Sequence, residues 1–317
     1  MSGLIDPARL VLAPSALAGG RILITGGGTG LGRIMAETCA ILGARVYICG
    51  RRGALLDQAA ADINAAIGAE RVCGLPCDIR SAESITAMVD GIWADGGALT
   101  GLVNNAAANF IARAKDVSPG GFDAIASTVY RGTWLMTQDV GRRWLAEGKR
   151  GAVVSILTTW VWSGGPFATP AAMAKAGVQA MTQSLAVEWG RSEIRLNNIC
   201  PGAFPTEGMA ARLRTDDQGF KEGNRASNAF GRNGRPEELA NAVAFLLSDG
   251  GAFISGQTIA VDAAGWQMGA DRFTGLLDWS DADWAEARDK IRAADARDKA
   301  ARTVDVLTTN ESSSTRA

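Results

Sequence analysis

The chain has no histidine among its 317 residues. That absence rules out the commonest general base: neither a Ser-His-Asp triad nor an imidazole proton shuttle can be built. Tyrosine is almost missing as well, with only Tyr47 and Tyr130. Neither sign of charge is in excess, since 32 basic residues face 33 acidic ones for a net charge of −1. The chain therefore carries no electrostatic footprint for nucleic acid or an anionic membrane, and a small-molecule ligand is favoured. Cysteine is sparse and odd in number: Cys39, Cys49, Cys73, Cys77 and Cys200 mostly sit in apolar segments, where a thiol acts as a small hydrophobe. Reduced thiols and a cytoplasmic home are expected. Cys73 and Cys77 would make half a metal site, but no second pair and no histidine completes it, so no metal is expected. No apolar run approaches the length of a membrane span, and no basic stretch followed by an apolar core opens the chain. The expectation is a soluble, unexported protein.

What is present is an alternation of short β-rich apolar runs with longer helix-patterned stretches, the sequence form of repeated βαβ units around a parallel sheet. One doubly wound α/β domain with a tail fits the length, so a second domain is not required. Strands are expected at 21–25, 45–49, 71–76, 101–104, 152–156, 195–200 and 257–261. Helical spacing covers 31–42 up to Gly43 and 54–67 up to Gly68, glycine being the usual residue just past a helix end. Ser118-Pro119 reads as an N-cap and first turn, and Pro236-Glu237-Glu238 opens the last core helix with acids suited to its positive end. The expected organisation is an arm over 1–18, the α/β domain over 19–270, a charged helical extension over 271–300 that starts at Ser280, and a disordered polar tail over 301–317.

Directly after the first strand comes Thr25-Gly26-Gly27-Gly28-Thr29-Gly30-Leu31-Gly32, which opens a helix. Glycines in this order permit a tight turn and close approach of backbone to a pyrophosphate, and the helix N-terminus favours the negative phosphates. The end of the second strand reads Cys49-Gly50-Arg51-Arg52, where an NAD site usually places an acid for the ribose 2′-hydroxyl. Arginine suits a 2′-phosphate, so NADP(H) is the expected cofactor. The alternative, that Arg51 and Arg52 are solvated residues ahead of a helix, stays open.

Cys77-Asp78-Ile79 follows the third strand and Asn104-Asn105-Ala106-Ala107 the fourth. With the glycine turn, Lys175 and Pro201-Gly202, these segments resemble the short-chain dehydrogenase/reductase superfamily over nearly the whole chain. The resemblance implies a Rossmann-type α/β fold with a seven-stranded parallel sheet flanked by helices. It also implies a cofactor set of Thr25, Gly26, Gly28, Thr29, Gly30, Leu31, Arg51, Arg52, Asp78, Ile79, Asn105, Ala106, Lys175, Pro201, Gly202 and Thr206. In that set Asp78 lies near the adenine and Lys175 bonds the nicotinamide ribose.

The superfamily's tyrosine, four residues before the lysine, is here Ala171; its serine-like position is Thr158, and its helix asparagine is Arg131. A methyl group donates no proton. The 2,4-dienoyl-CoA reductases, which also lack that tyrosine, are similar in Asn104 to Phe110, Ala174-Lys175-Ala176-Gly177, Leu185-Ala186-Val187-Glu188-Trp189-Gly190 and Thr206-Glu207-Gly208. Hydride delivered to the far carbon of a conjugated thioester leaves charge on the thioester oxygen, which needs hydrogen-bond donors more than immediate protonation. The resemblance assigns those donors to Asn109 and, where the branch has a tyrosine, to Trp160, whose indole N–H donates but supplies no proton at neutral pH. The catalytic set implied is thus Asn109, Lys175, Trp160 and Thr158, acting on a small molecule such as an acyl-CoA in a homotetramer. Trp160, Trp162, Phe167 and Phe110 are candidates for an acyl pocket or for core. Arg212, Lys221 and Arg232 are candidates for coenzyme A phosphates or solvated charges. A ketone or alcohol substrate, or a non-catalytic NADP-binding protein, is the competing reading.

Overall fold

The structure, a computed structural model, describes residues 4–204, 228–269, 276, 278–293 and 296. Its sheet holds β1 (Arg21–Thr25), β2 (Arg45–Gly50), β3 (Val72–Pro76), β4 (Gly101–Asn104), β5 (Gly151–Ile156), β6 (Ile194–Pro201) and β7 (Thr258–Val261). Every pairing is parallel, and the spatial order is β3-β2-β1-β4-β5-β6-β7. This is the expected doubly wound Rossmann-type arrangement, and the order reverses between β1 and β4. A crevice opens at that reversal, beyond the carboxyl ends of the strands.

Alternation along β1 shows why both faces need helices. Ile22 and Ile24 pack on one side with Met35, Val46, Ile48 and Leu239, while Leu23 packs on the other with Tyr47, Val89, Met136 and Trp144. A strand buried on both sides reads as an unbroken apolar run, as Ile22-Leu23-Ile24 does. The first face is covered by α1 (Gly30–Ile41), α2 (Gly53–Ile67) and α8 (Pro236–Leu247); the second by α3 (Ala82–Ala94), α5 (Gly132–Glu147) and α7 (Thr169–Glu188).

Several expected signals act as read. Gly68 closes α2 in the left-handed region at φ 67°, and Ser118 Oγ accepts the Gly121 N–H at the start of α4 (Pro119–Ile125). Two details differ. β3 begins at Val72 rather than 71, because the buried Asn64 side chain on α2 accepts the Arg71 and Val72 N–H groups (3.0 and 2.8 Å). The helix before β5 is not regular: α4 widens into a π-turn over Ala126–Arg131 before α5 resumes. At that junction a Cβ on Gly132 would come 2.9 Å from the Ile79 side chain and 3.1 Å from its carbonyl oxygen, so only glycine lets the helix lie this close to the 78–80 loop.

The chain divides between Met268 and Gly269 into two compact units. In the second, a helix covers 281–293. Ser280 Oγ accepts the Asp283 N–H at its start, Asp283 accepts the Ser280 N–H in return, and Trp279 meets Trp284 edge-on at 4.9 Å. Thr206, Arg212, Lys221 and the 301–317 tail lie outside the described residues.

Residues 4–11 are not a loose arm. The Leu4 and Ile5 N–H groups donate to the two carboxylate oxygens of Glu37 on α1 (3.1 and 3.2 Å), and the Asp6 N–H donates to Glu237 on α8 (3.0 Å). Ile5 is buried with Ile34 and Ala240. The segment thus straps α1 to α8 through a carboxylate only 2% exposed. Hydrogen bonds to a charged acceptor are the strong kind, so Glu37→Ala should cost about 3 kcal/mol. Urea unfolding checks this, and a midpoint equal to wild type would show that the strap does not hold α1.

Candidate active site

One cavity of about 720 Å³ lies along the carboxyl ends of β1, β2, β4 and β5. Its first wall is the glycine turn. Gly26 and Gly30 take positive φ (67° and 53°), and a Cβ on Gly32 would sit 2.2 Å from the Gly26 carbonyl oxygen and 2.6 Å from Asn105 Nδ2. The turn is therefore pressed against the end of β4, and Gly26, Gly28, Thr29, Gly30 and Leu31 line the cavity. Thr25, expected at the cofactor, stands behind that wall: it is buried, and its Oγ1 accepts the Asn105 and Ala106 N–H groups (both 3.0 Å). Asn105 Nδ2 donates to the Thr25 and Gly26 carbonyls (3.0 and 3.3 Å), tying β4 to the turn.

At the β2 end Arg51 and Arg52 line the cavity exposed, and neither forms an ion pair among the described residues. Asp78 faces them and is already engaged: Arg80 chelates its carboxylate at 2.6 to 3.1 Å, and that guanidinium holds the Asp78 carboxyl down at about 2. Arg131, the residue at the asparagine position, does not line the cavity; its guanidinium donates to the Arg80 carbonyl oxygen at 2.5 Å. This end is cationic, with three guanidinium groups against one carboxylate.

At the β4 and β5 end the lining is uncharged apart from Lys175. Asn109, Thr158, Trp160 and Ala171 meet there, with Pro201 and Gly202 closing the side. The Asn109 Oδ1 is buried without a partner among the described residues, a cost of about 1 to 3 kcal/mol that an unmatched polar atom carries unless a ligand relieves it. Trp160 packs with Ala108 and Phe110 against Ile125, Val129, Ala171 and Ala174. Lys175 Nζ donates to the Ile156 carbonyl. Desolvation lowers its ammonium to about 8, with the nearby Cys200 thiol opposing that shift.

The other aromatic candidates lie elsewhere. Trp162 stacks on Trp266 at 5.0 Å, Phe167 is exposed, and Phe110 abuts Gly121. None of the three lines the cavity. Arg232 is taken up by Glu238 (2.7 and 2.9 Å). Sequence reasoning missed Arg80, Thr128 and Val129, which do line it. Arg80 had a signal, standing two residues after an acid in Cys77-Asp78-Ile79-Arg80. The other two had none, since the π-turn that presents them leaves no mark on the apolar pattern.

A glycine turn at one wall, a cationic pair at the next strand end and a lysine at the far end line one continuous cavity whose charges suit a dinucleotide. The family model described as enoyl-(acyl carrier protein) reductase matches residues 26–266. The chain belongs to the short-chain dehydrogenase/reductase family. It is 36% identical over 299 residues to a probable (3E)-enoyl-CoA-producing 2,4-dienoyl-CoA reductase of Caenorhabditis elegans, covering 92% of this chain and 95% of that one. A probable (2E)-enoyl-CoA-producing 2,4-dienoyl-CoA reductase of Bacillus subtilis is 35% identical over 246 residues, covering 77% and 96%. Among solved structures, a short-chain dehydrogenase from Bacillus anthracis superposes with a TM-score of 0.72 at 35% identity, covering 79% and 97%. Members of this family bind a nicotinamide cofactor, and the residues around the cavity fit one.

Lys175 yields a pH test of that fit. An anionic dinucleotide beside it favours the ammonium, so the complex keeps a proton that the free protein loses near pH 8. Binding should take up a proton there, and affinity should fall as the pH rises through about 8. Calorimetric titration in buffers of different ionisation enthalpy reads the uptake. Lys175→Met should abolish the step and Cys77→Ser should keep it; the same pH profile in Lys175→Met would remove the lysine from the site.

Proposed function

We propose that this oxidoreductase uses NADPH to reduce a conjugated carbon–carbon double bond in an enoyl or dienoyl thioester. The observation that carries the reading is a methyl group and an amide on one cavity wall. Ala171, one helical turn before Lys175, offers no proton, while Asn109 lines the cavity and its side-chain amide brings an N–H donor. Ketone reduction makes an alkoxide that needs an acid at once. Conjugate reduction makes a delocalised enolate that needs donors.

In this reading the bound cofactor supplies hydride. Arg51 and Arg52 hold its 2′-phosphate, charge-assisted bonds that NADH would leave unmade. Lys175 orients the nicotinamide ribose. The Asn109 Nδ2 and the Trp160 Nε1 donate to the thioester oxygen, Thr158 lies beside them, and Trp160 with Val129 forms the apolar wall for the acyl chain. The 2,4-dienoyl-CoA reductases among the relatives support this substrate class. A cytoplasmic homo-oligomer, a tetramer as in the family, belongs to the same reading. It is supported by the exposed Trp134 and Leu145 on α5 and Met173 and Val187 on α7, and by the absence, among the described residues, of any helix long and apolar enough to cross a membrane.

Asn109 tests the assignment. An oxyanion donor acts mainly on the chemical step, so Asn109→Ala should lower kcat by about a hundredfold with a melting temperature no lower than wild type, since the variant also removes the unpartnered Oδ1. Trp160→Phe should lower kcat less while keeping the aromatic wall. Single-turnover rates beside melting curves decide the matter: lost stability with an unchanged hydride-transfer rate would make Asn109 a turn cap and remove it from the mechanism.

A further inference from the structure

Two thiols share the adenosine end of the coenzyme cavity. Cys49 is the last residue but one of β2, and Cys77 follows β3. Gly50 pairs with Pro76 in the ladder, and the Cys77 N–H donates to the Gly50 carbonyl at 2.8 Å, so the two cysteines flank that pair on one face of the sheet. Both belong to one apolar cluster and both line the cavity. Each thiol is close enough to the other to shift its titration. Ser84, in the first turn of α3, donates its hydroxyl to Cys77 Sγ at 3.6 Å.

A sulfur with hydrogen-bond donors beside it carries negative charge more readily than one with none. The Cys49 thiol and then the Ser84 hydroxyl hold Cys77 below the ordinary thiol range, against its burial and the charge of Asp78. Cys49, as the donor, is pushed well above that range. The other two buried thiols shift the opposite way: burial pushes both Cys39 and Cys200 up to about 12, in Cys200 against Lys175 and the Thr158 backbone, and neither lines the cavity. Residue exposures of 0% for Cys49 and 4% for Cys77 leave the cavity as the route by which a reagent reaches them.

We propose that Cys77 is a peroxide-sensitive thiol on the wall of the coenzyme site, and that Cys49 resolves its oxidised form into a disulfide which blocks the adenosine end. The Cys77 thiolate attacks one oxygen of hydrogen peroxide, the O–O bond breaks, and hydroxide leaves and takes up a proton as water. Cys77 becomes a sulfenic acid. The Cys49 sulfur then attacks that sulfur, the S–O bond breaks, and a second water leaves with the Cys49 proton. Two thiols are oxidised and one peroxide is reduced to two waters. Bound coenzyme covers both sulfurs, so oxidation and coenzyme binding exclude one another. This inference rests on the cavity being the coenzyme site and is independent of the coenzyme preference and of the substrate.

The test is peptide mapping of the full chain after hydrogen peroxide, followed by alkylation of the remaining thiols. The expected product is a Cys49–Cys77 disulfide reversible by dithiothreitol, with Cys39 and Cys200 unmodified. In Cys49→Ser, Cys77 should stop at a sulfenic acid that dimedone captures; in Cys77→Ser, Cys49 should stay reduced. Coenzyme at a hundred times its dissociation constant, with binding verified by fluorescence, should slow the oxidation about a hundredfold. Protection by NADH with none by NADPH would contradict the proposed coenzyme preference and still support the thiol assignment. Cys77 recovered fully reduced from the wild type, or oxidised equally fast with coenzyme bound, would overturn it.

Discussion

The contact on which the rest of the site depends is the one between the glycine turn after β1 and the end of β4. Gly32 lies so close to the Gly26 carbonyl and to Asn105 that no side chain fits between them. Asn105 then uses that closeness, donating to the Thr25 and Gly26 carbonyls while Thr25 Oγ1 accepts from the backbone of 105 and 106. These bonds bridge the two strands on either side of the point where the sheet order reverses. They set the width of the crevice, and every other lining residue takes its position from strands that flank it.

Charge is distributed unevenly along that crevice, and the distribution sets what the site can do. The β2 end gathers Arg51, Arg52 and Arg80 against Asp78, a field suited to the phosphates of a dinucleotide. The β5 end has one cation, Lys175, among amide, hydroxyl, indole and methyl groups, without a carboxylate, phenol or imidazole among the described lining residues. In a site of low polarity, oriented donors stabilise a developing negative charge more than they would in water. Such a site suits the proposed reaction, whose transition state collects charge on an oxygen and defers protonation.

Most of the fold was legible because its signals are local. Ile22-Leu23-Ile24 is apolar without interruption since both faces of β1 are covered, and Gly68 and Ser118 mark helix ends by backbone geometry that few residues supply. The glycine turn was legible for the same reason. What escaped was set by side-chain contacts between elements. Asn64, near the end of α2, takes the Arg71 and Val72 amide hydrogens, Gly132 meets Ile79 where α4 widens into the π-turn, and Glu37 fastens a segment that composition alone reads as an arm. In the site, Thr25 ends β1 and stands behind the turn, and the aromatic group split, with Trp160 on the cavity and Trp162 stacked on Trp266. Side-chain direction, not residue type, decided each of these.

The most direct measurement follows coenzyme oxidation and product identity with a 2,4-dienoyl thioester and a 3-ketoacyl thioester of the same chain length, each with NADPH and with NADH. A site with paired arginines at the ribose and no acid at position 171 should consume NADPH in preference to NADH, remove one double bond of the conjugated thioester and leave the ketone unreduced. Ketone reduction at comparable kcat/KM, or a preference for NADH, would contradict the account.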